Sequence, residues 1–266
     1  MGRNYLKSLV VDLFDAVFRP EEFVAVRGVL GGGTTHQKVK HTVALLVVFV
    51  VNLFLYAGPL TLAGYGVVEQ DTTPDAAILL FSPFMDVEMA TYLVGGFIQN
   101  SAFITVLTLV TFVTYHGMLI LTLNSQGILL TLHTIVYSVS AYLAGIFTVL
   151  VVLTEQEQLA TARDLVLEIQ IRFLNYAYDL FGVPVEQRVF VSSGEIQLTA
   201  LSRTEVAVLT VLVVLVLYFV YSLYLGARIN HRGSRFSALL ALVAVLLSPL
   251  LYVAGLIAWS LGTLPV

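Results

Sequence analysis

Val206–Leu225 reads VAVLTVLVVLVLYFVYSLYL, twenty residues without an acid, a lysine, an arginine or a histidine. At 1.5 Å per residue such a helix is about 30 Å long, the thickness of a bilayer's hydrocarbon core. One Asp, Lys or Arg at the centre of such a helix costs about 2.5–3.5 kcal/mol in lipid. An uncharged run of this length therefore has lipid as its natural solvent. Thr42–Val68, Ala102–Leu123, Gly127–Leu153 and Phe236–Leu261 also lack acids, lysines and arginines. A water-soluble core built from the same helices would need a polar face on each, and these runs have none.

Composition agrees: 11% of residues are charged, 58% are hydrophobic and the mean hydropathy is +0.92, where soluble domains carry about 25% charged residues. The fold class expected is an all-α integral membrane protein with five transmembrane helices, an N-terminal interfacial amphipathic helix and a small outer helix and β-hairpin module. The chain divides accordingly into four parts. Residues 1–41 form a cytoplasmic amphipathic segment, and 42–153 hold spans one to three with an outer loop at 69–101. Residues 154–203 form an extracytoplasmic helix and hairpin insert, and 204–266 hold spans four and five.

Basic residues outside the spans alternate. Arg3, Lys7, Arg19, Arg27, Lys38 and Lys40 precede span one, and Arg228, Arg232 and Arg235 lie between spans four and five. Loop 69–101, the turn Asn124-Ser125-Gln126 and the tail have none, and 154–203 has four arginines against seven acids. The positive-inside rule then places the N-terminus inside and the C-terminus outside a cytoplasmic (cell) membrane. Tyr218, Tyr221 and Tyr224 near the inner end of span four, and Trp259 near the outer end of span five, suit aromatic belts. An acidic exterior with three lysines in the whole chain suits a halophilic microbe. Asp12 and Asp15 interrupt the apolar pattern of the first thirty residues, so no signal peptide is expected there. The absence of cysteine removes disulfides, thiolate metal sites and catalytic thiols.

Leu6, Leu9, Val10, Leu13, Val17 and Phe18 recur at helical spacing, as in a helix lying in the inner interface. Arg19-Pro20-Glu21-Glu22 restarts a helix that Gly31-Gly32-Gly33 ends. Gly28 and Gly33 have phosphate-loop spacing, but Thr34 stands where its lysine belongs, so the glycines read as a joint. In the outer loop, the apolar patch Ala76–Phe81 is too short to span and reads as re-entrant or surface-lying. The second helix is expected to begin ahead of its apolar run, near Met89.

Within the insert, Leu159, Ala162, Val166, Ile169, Phe173, Tyr176 and Leu180 step by threes and fours, a heptad-like stripe. Continued straight out of span three, such a helix would project about 35–40 Å. Gly182 and Pro184 end it, and Arg188–Val191 and Glu195–Leu198 flank Ser192-Ser193-Gly194 as a small hairpin. An apolar stripe must be covered by something. It either packs on the 69–101 loop or serves self-association or a protein partner.

His116 and His133 are the ionisable residues inside the apolar runs, and intramembrane ionisable groups are functional candidates by default. They lie nine residues before and eight after Ser125, so an antiparallel hairpin brings them to nearly one depth. There they could share a proton or ligate a metal, or each could be a neutral histidine bonded to a neighbour. Ser138, Ala141 and Gly145 put small side chains on one face of span three for close packing. Asn52 reads as a polar contact, and Pro59 and Pro249 as kinks. A proton pump's chain of acids is missing, as are a nucleophile elbow, an HExxH pair and a dinucleotide fingerprint. The expectation is a protein that is not an enzyme, with no cofactor, no metal and no nucleic-acid partner.

Pieces of the sequence in this order resemble the Yip family of five-span membrane proteins, named for Ypt/Rab GTPase interaction, including its prokaryotic branch. They are Arg19-Pro20-Glu21-Glu22-Phe23, Gly95-Gly96, Ile135-Val136-Tyr137-Ser138-Val139-Ser140-Ala141, Gly226-Ala227-Arg228 with His231, and Ser237-Ala238-Leu239-Leu240-Ala241. The resemblance implies no enzyme and no cofactor, and a role in membrane traffic and shaping through partners. The long insert at 154–203 departs from the family's short outer loops and turns attention to an external partner. The function expected is a non-enzymatic membrane scaffold or accessory protein. The alternatives are a small transporter or channel component using the histidine pair, or a stabilising subunit of a larger membrane complex.

Overall fold

The computed structural model describes residues 34–62, 85–153, 156–184 and 201–260, together with Val11, Phe14, Phe18, Arg19 and Pro83. The expected N-terminal interfacial helix, the Ala76–Phe81 patch and the hairpin around Ser192-Ser193-Gly194 lie outside the described residues. Within them the chain is all-helical, with no strand. In order come α1 (Thr35–Leu62), α2 (Val87–Leu121), α3 (Ile128–Val152), α4 (Gln156–Leu180), α5 (Arg203–Leu225), α6 (Arg235–Leu246) and α7 (Ser248–Ser260). Five stretches are long and apolar enough to cross a membrane: α1, α2, α3, α5 with the turn after it, and α6 running on into α7.

The helix boundaries follow local chemistry. α2 begins at Val87 because Asp86 caps it, its Oδ1 accepting from the Met89 N–H at 2.7 Å. That is well ahead of the apolar run at Ala102. α5 begins with a capping box in which Ser202 and Glu205 satisfy each other's backbone amides. Between α2 and α3, Gly127 takes φ +119°, a conformation that favours glycine. The fifth span is two helices, because the register breaks at Leu247 and Pro249 falls in the first turn of α7, where its missing N–H is tolerated. Pro59 sits inside α1. Ser202→Ala removes one half of the box and is expected to cost about 1 kcal/mol, read as a lower detergent melting temperature; no change would mean that the cap is silent.

α3 is the hub. It packs against α5, α1 and α2, while α6 packs mainly against α2. Of its apolar stretch 61% is buried, against 17% of α5's. Tyr115, Leu119, Ile135, Val139, Leu223, Ala227, Ala238 and Ala241 meet in the main core. Close approach of α3 to α5 depends on Gly145, where an added Cβ would lie 2.0 Å from Leu215 Cδ2. One end of the bundle holds the 122–127 turn, the 226–234 loop and the start of α1. We call it the turn end, and the opposite one, which carries α4, the cap end.

α4 does not project from α3. Its first half buries Ala162 and Leu165 against Val208, with Val149, Leu153, Leu209 and Leu212 around them. Its second half buries Ala177 and Tyr178 against Val253 and Ile257. The helix therefore lies across the ends of α5 and α7, because bundle ends offer apolar cover that water does not. It stops in a Schellman turn: Gly182 has φ +68°, and the Val183 N–H reaches the Tyr178 carbonyl at 2.9 Å. The expected stripe divides. Ala162 is buried and Phe173 packs near Val253. Leu159 and Val166 are partly covered. Ile169, Tyr176 and Leu180 remain exposed, at 38%, 63% and 57%.

Candidate functional site

The polar residues of the spans gather along α3, mostly near the turn end. Starting two residues after Leu129, buried Thr131, His133, Thr134, Ser138 and Ser140 follow one another along this helix. Each is engaged by a side chain from another element. His133 Nδ1 lies 3.2 Å from Nε2 of His41 on α1. Asn52 on α1 donates to the Ser140 hydroxyl. His116 Nδ1, on α2, is 2.8 Å from Thr131 Oγ1. Ser222 on α5 donates to Ser138 at 2.7 Å. Asn230 Nδ2 donates to Thr134 Oγ1 at 3.1 Å, and His231 Nε2 lies 3.2 Å from Thr131 Oγ1.

The last two residues arrive through a change of helix type. After Leu225 the chain widens into one π turn, Gly226–Asn230. Such turns recur at functional sites. The turn is possible because Gly226 has no side chain: a Cβ there would stand 2.2 Å from Thr134 Cγ2 and 3.1 Å from the Tyr115 hydroxyl. That hydroxyl donates to the Leu223 carbonyl at 2.7 Å, taking up an acceptor near the widened turn. Asn230 and His231 are thereby carried inward, both almost wholly buried.

Hydrogen-bond direction fixes the state of His231. The Gln126 backbone N–H donates to its Nδ1 at 3.0 Å, and a backbone amide can only donate. Nδ1 is therefore unprotonated and Nε2 carries the hydrogen, so the ring is neutral and donates to Thr131. The Thr131 hydroxyl is then free to donate to His116 Nδ1. A directed chain, His231 to Thr131 to His116, follows from one amide. In the other pair His41 Nε2 and His133 Nδ1 are within hydrogen-bond distance, so the two rings cannot both carry a hydrogen at these nitrogens.

The two histidines singled out from the sequence both stand in this layer, each with its own partners. His133 is paired with His41 and packs on Tyr137, ring centroids 4.7 Å apart. His116 is bonded to Thr131 and stacks on Phe112 at 5.7 Å. The residues that sequence reasoning passed over are His41 and His231, because both lie just outside the uncharged runs. His41 belongs to the membrane helix all the same, since α1 starts at Thr35. His231 had one signal, its place after Gly226-Ala227-Arg228 in the family resemblance. Among the described residues no three of His, Cys, Asp or Glu come together as metal ligands would.

Five apolar spans, four of them gathered about the central, polar-faced α3, make this a multi-pass helical membrane protein. No protein-family model matches the chain, and comparison with curated proteins and with solved structures found no match.

In lipid there is no hydrophobic drive between helices, so interhelical hydrogen bonds and close packing decide how spans assemble. Each such bond averages about 0.6 kcal/mol, and the six ties to α3 together contribute about 4 kcal/mol. Their main consequence is register: the buried polar groups of α3 meet set positions on its neighbours, Thr131 meeting two.

Proposed function

We propose that this protein is a non-enzymatic membrane scaffold or accessory protein of the Yip-like type, acting through a protein partner or a second copy. On this reading it sits in the cell membrane with the turn end inside and α4 outside, in keeping with the basic loop at 226–235. The observation that carries the proposal is the face left on α4. The helix is clamped to α5 and α7 by Ala162, Leu165, Ala177 and Tyr178, yet still presents Ile169, Tyr176 and Leu180. These three recur at seven- and four-residue spacing, on one side of a helix whose position is fixed. A rigid helix with a residual apolar side is suited to docking, since little entropy remains to be lost on binding. Tyr176→Glu with Leu180→Glu, both outside the buried contacts, is expected to abolish crosslinked dimers or co-purifying partners while leaving the melting temperature within about 2 °C. Unchanged assembly would remove the partner reading.

A second reading, a small transporter or channel component, draws on the directed chain from His231 to His116. It requires proton- or ion-dependent flux in liposomes that is lost in a His116→Ala, His133→Ala double variant. A flat trace for the wild type eliminates it.

A further inference from the structure

The two ends differ in net charge, the cap end carrying seven described acids against Arg163, Arg172 and Arg203. Among the described residues every acid lies at the cap end: Asp86, Glu88, Glu157, Asp164, Glu168, Asp179 and Glu205. The turn end carries Lys38, Lys40, Arg228, Arg232 and Arg235 and no described acid. Lys38, Lys40, Arg232 and Arg235 are exposed, and neither of the two arginines has an ion-pair partner among the described residues.

The loop that presents them is held. The Gly233 N–H donates to the Ala227 carbonyl at 2.9 Å, and Arg228 Nη1 donates to the Gly233 carbonyl at 2.6 Å. His231 is fastened to Gln126 on the neighbouring turn. Arg232 itself has φ +53°, the left-handed conformation at a tight bend. Immediately along α6 from Arg235, Phe236, Leu239 and Val243 are exposed at 70%, 54% and 51%. Their spacing of three and four makes one lipid-facing strip. A similar arrangement stands on α1, where Lys38 precedes exposed Val39 and Val43.

Two exposed cations on a held loop, next along the chain to an apolar strip, match a molecule that is anionic at one end and hydrocarbon at the other. A soluble phosphate would use the arginines and leave the strip without a role. We propose that the turn end is a binding surface for anionic phospholipid, with the headgroup phosphate against Arg232 and Arg235 and the acyl chains along Phe236, Leu239 and Val243. The pair of arginines supplies the charge-assisted hydrogen bonds that phosphate oxygens accept. Each exposed cation near an anionic membrane surface strengthens attachment about fivefold. The acids of the cap end would be repelled by the same lipid, so the preference is confined to one leaflet.

The test uses the whole purified chain. It is relipidated with phosphatidylglycerol or with phosphatidylcholine, and bound lipid is counted by native mass spectrometry alongside thermal melts. Phosphatidylglycerol is expected to be retained preferentially and to raise the melting temperature by several degrees over phosphatidylcholine. The Arg232→Asn, Arg235→Gln variant should lose about 25-fold in that retention. Asparagine is chosen at 232 because it tolerates a positive φ, and an unchanged melt in phosphatidylcholine shows that the variant folds. Glycerol phosphate at matching concentration should do nothing, and 0.5 M salt should weaken the preference. Equal retention of the two lipids, an equal effect of glycerol phosphate, or a preference that survives in the double variant would each overturn the proposal.

Discussion

Gly226→Ala is expected to be among the most damaging single substitutions in the bundle, costing about 2–3 kcal/mol. The new methyl would stand 2.2 Å from Thr134 Cγ2, so something must move. Thr134 cannot rotate away without loss, because its hydroxyl donates to the Leu130 carbonyl at 2.9 Å and accepts from Asn230. Nor is backbone retreat cheap, since it would pull Asn230 and His231 out of the layer. The measurement is a detergent melt, in which Gly226→Ala lowers the transition by roughly 5–10 °C for a domain of this kind. Thr134→Ser removes the offending methyl and keeps the hydroxyl, so adding it to Gly226→Ala should recover more than half of the loss. If the serine gives no recovery, the steric account of the π turn is wrong.

The second large effect concerns His231. In His231→Leu the Gln126 N–H and the Thr131 hydroxyl both lose a partner in a buried place, at about 1–3 kcal/mol for each stranded group. His231→Asn keeps an acceptor for the amide and should retain most of the stability at pH 7.5. The two variants thus separate the space that the ring fills from the bond that its nitrogen accepts. In detergent melts His231→Leu should fall well below His231→Asn, and equal losses would mean that the Gln126 contact contributes nothing.

The spans could be read directly because the membrane criterion is local. Val206–Leu225 is apolar along its whole length, and no packing partner is needed to show that water is the wrong solvent for it. The start of α2 at Val87 was partly legible through Asp86 and Glu88, which are N-terminal signals ahead of the hydrophobic run. The polar layer was less legible. His116 and His133 stood out as titratable side chains in apolar surroundings, but Thr131 and Thr134 pass unnoticed in a hydrophobic run, where threonine costs little. Their importance comes from α2 and the 226–234 loop, brought against them by tertiary packing. α4 illustrates the same limit. Its periodicity announced an amphipathic helix, yet Leu165, Ala177 and Tyr178 are buried while Tyr176 and Leu180 are exposed. The cover is two bundle ends on different sides of the helix, and so the buried face shifts between its two halves.

By itself the sequence determined the solvent. Five uncharged stretches cannot be satisfied by water, and their basic flanks distinguish one end from the other, since both properties depend on residues adjacent in the chain. Only the tertiary structure decided that α3 is the central helix, that His41 meets His133, and that an amide at residue 126 holds His231 in one tautomer. Those contacts join positions 92 and 105 residues apart. Separations of that size are bridged by packing geometry, to which no local pattern of side chains gives access.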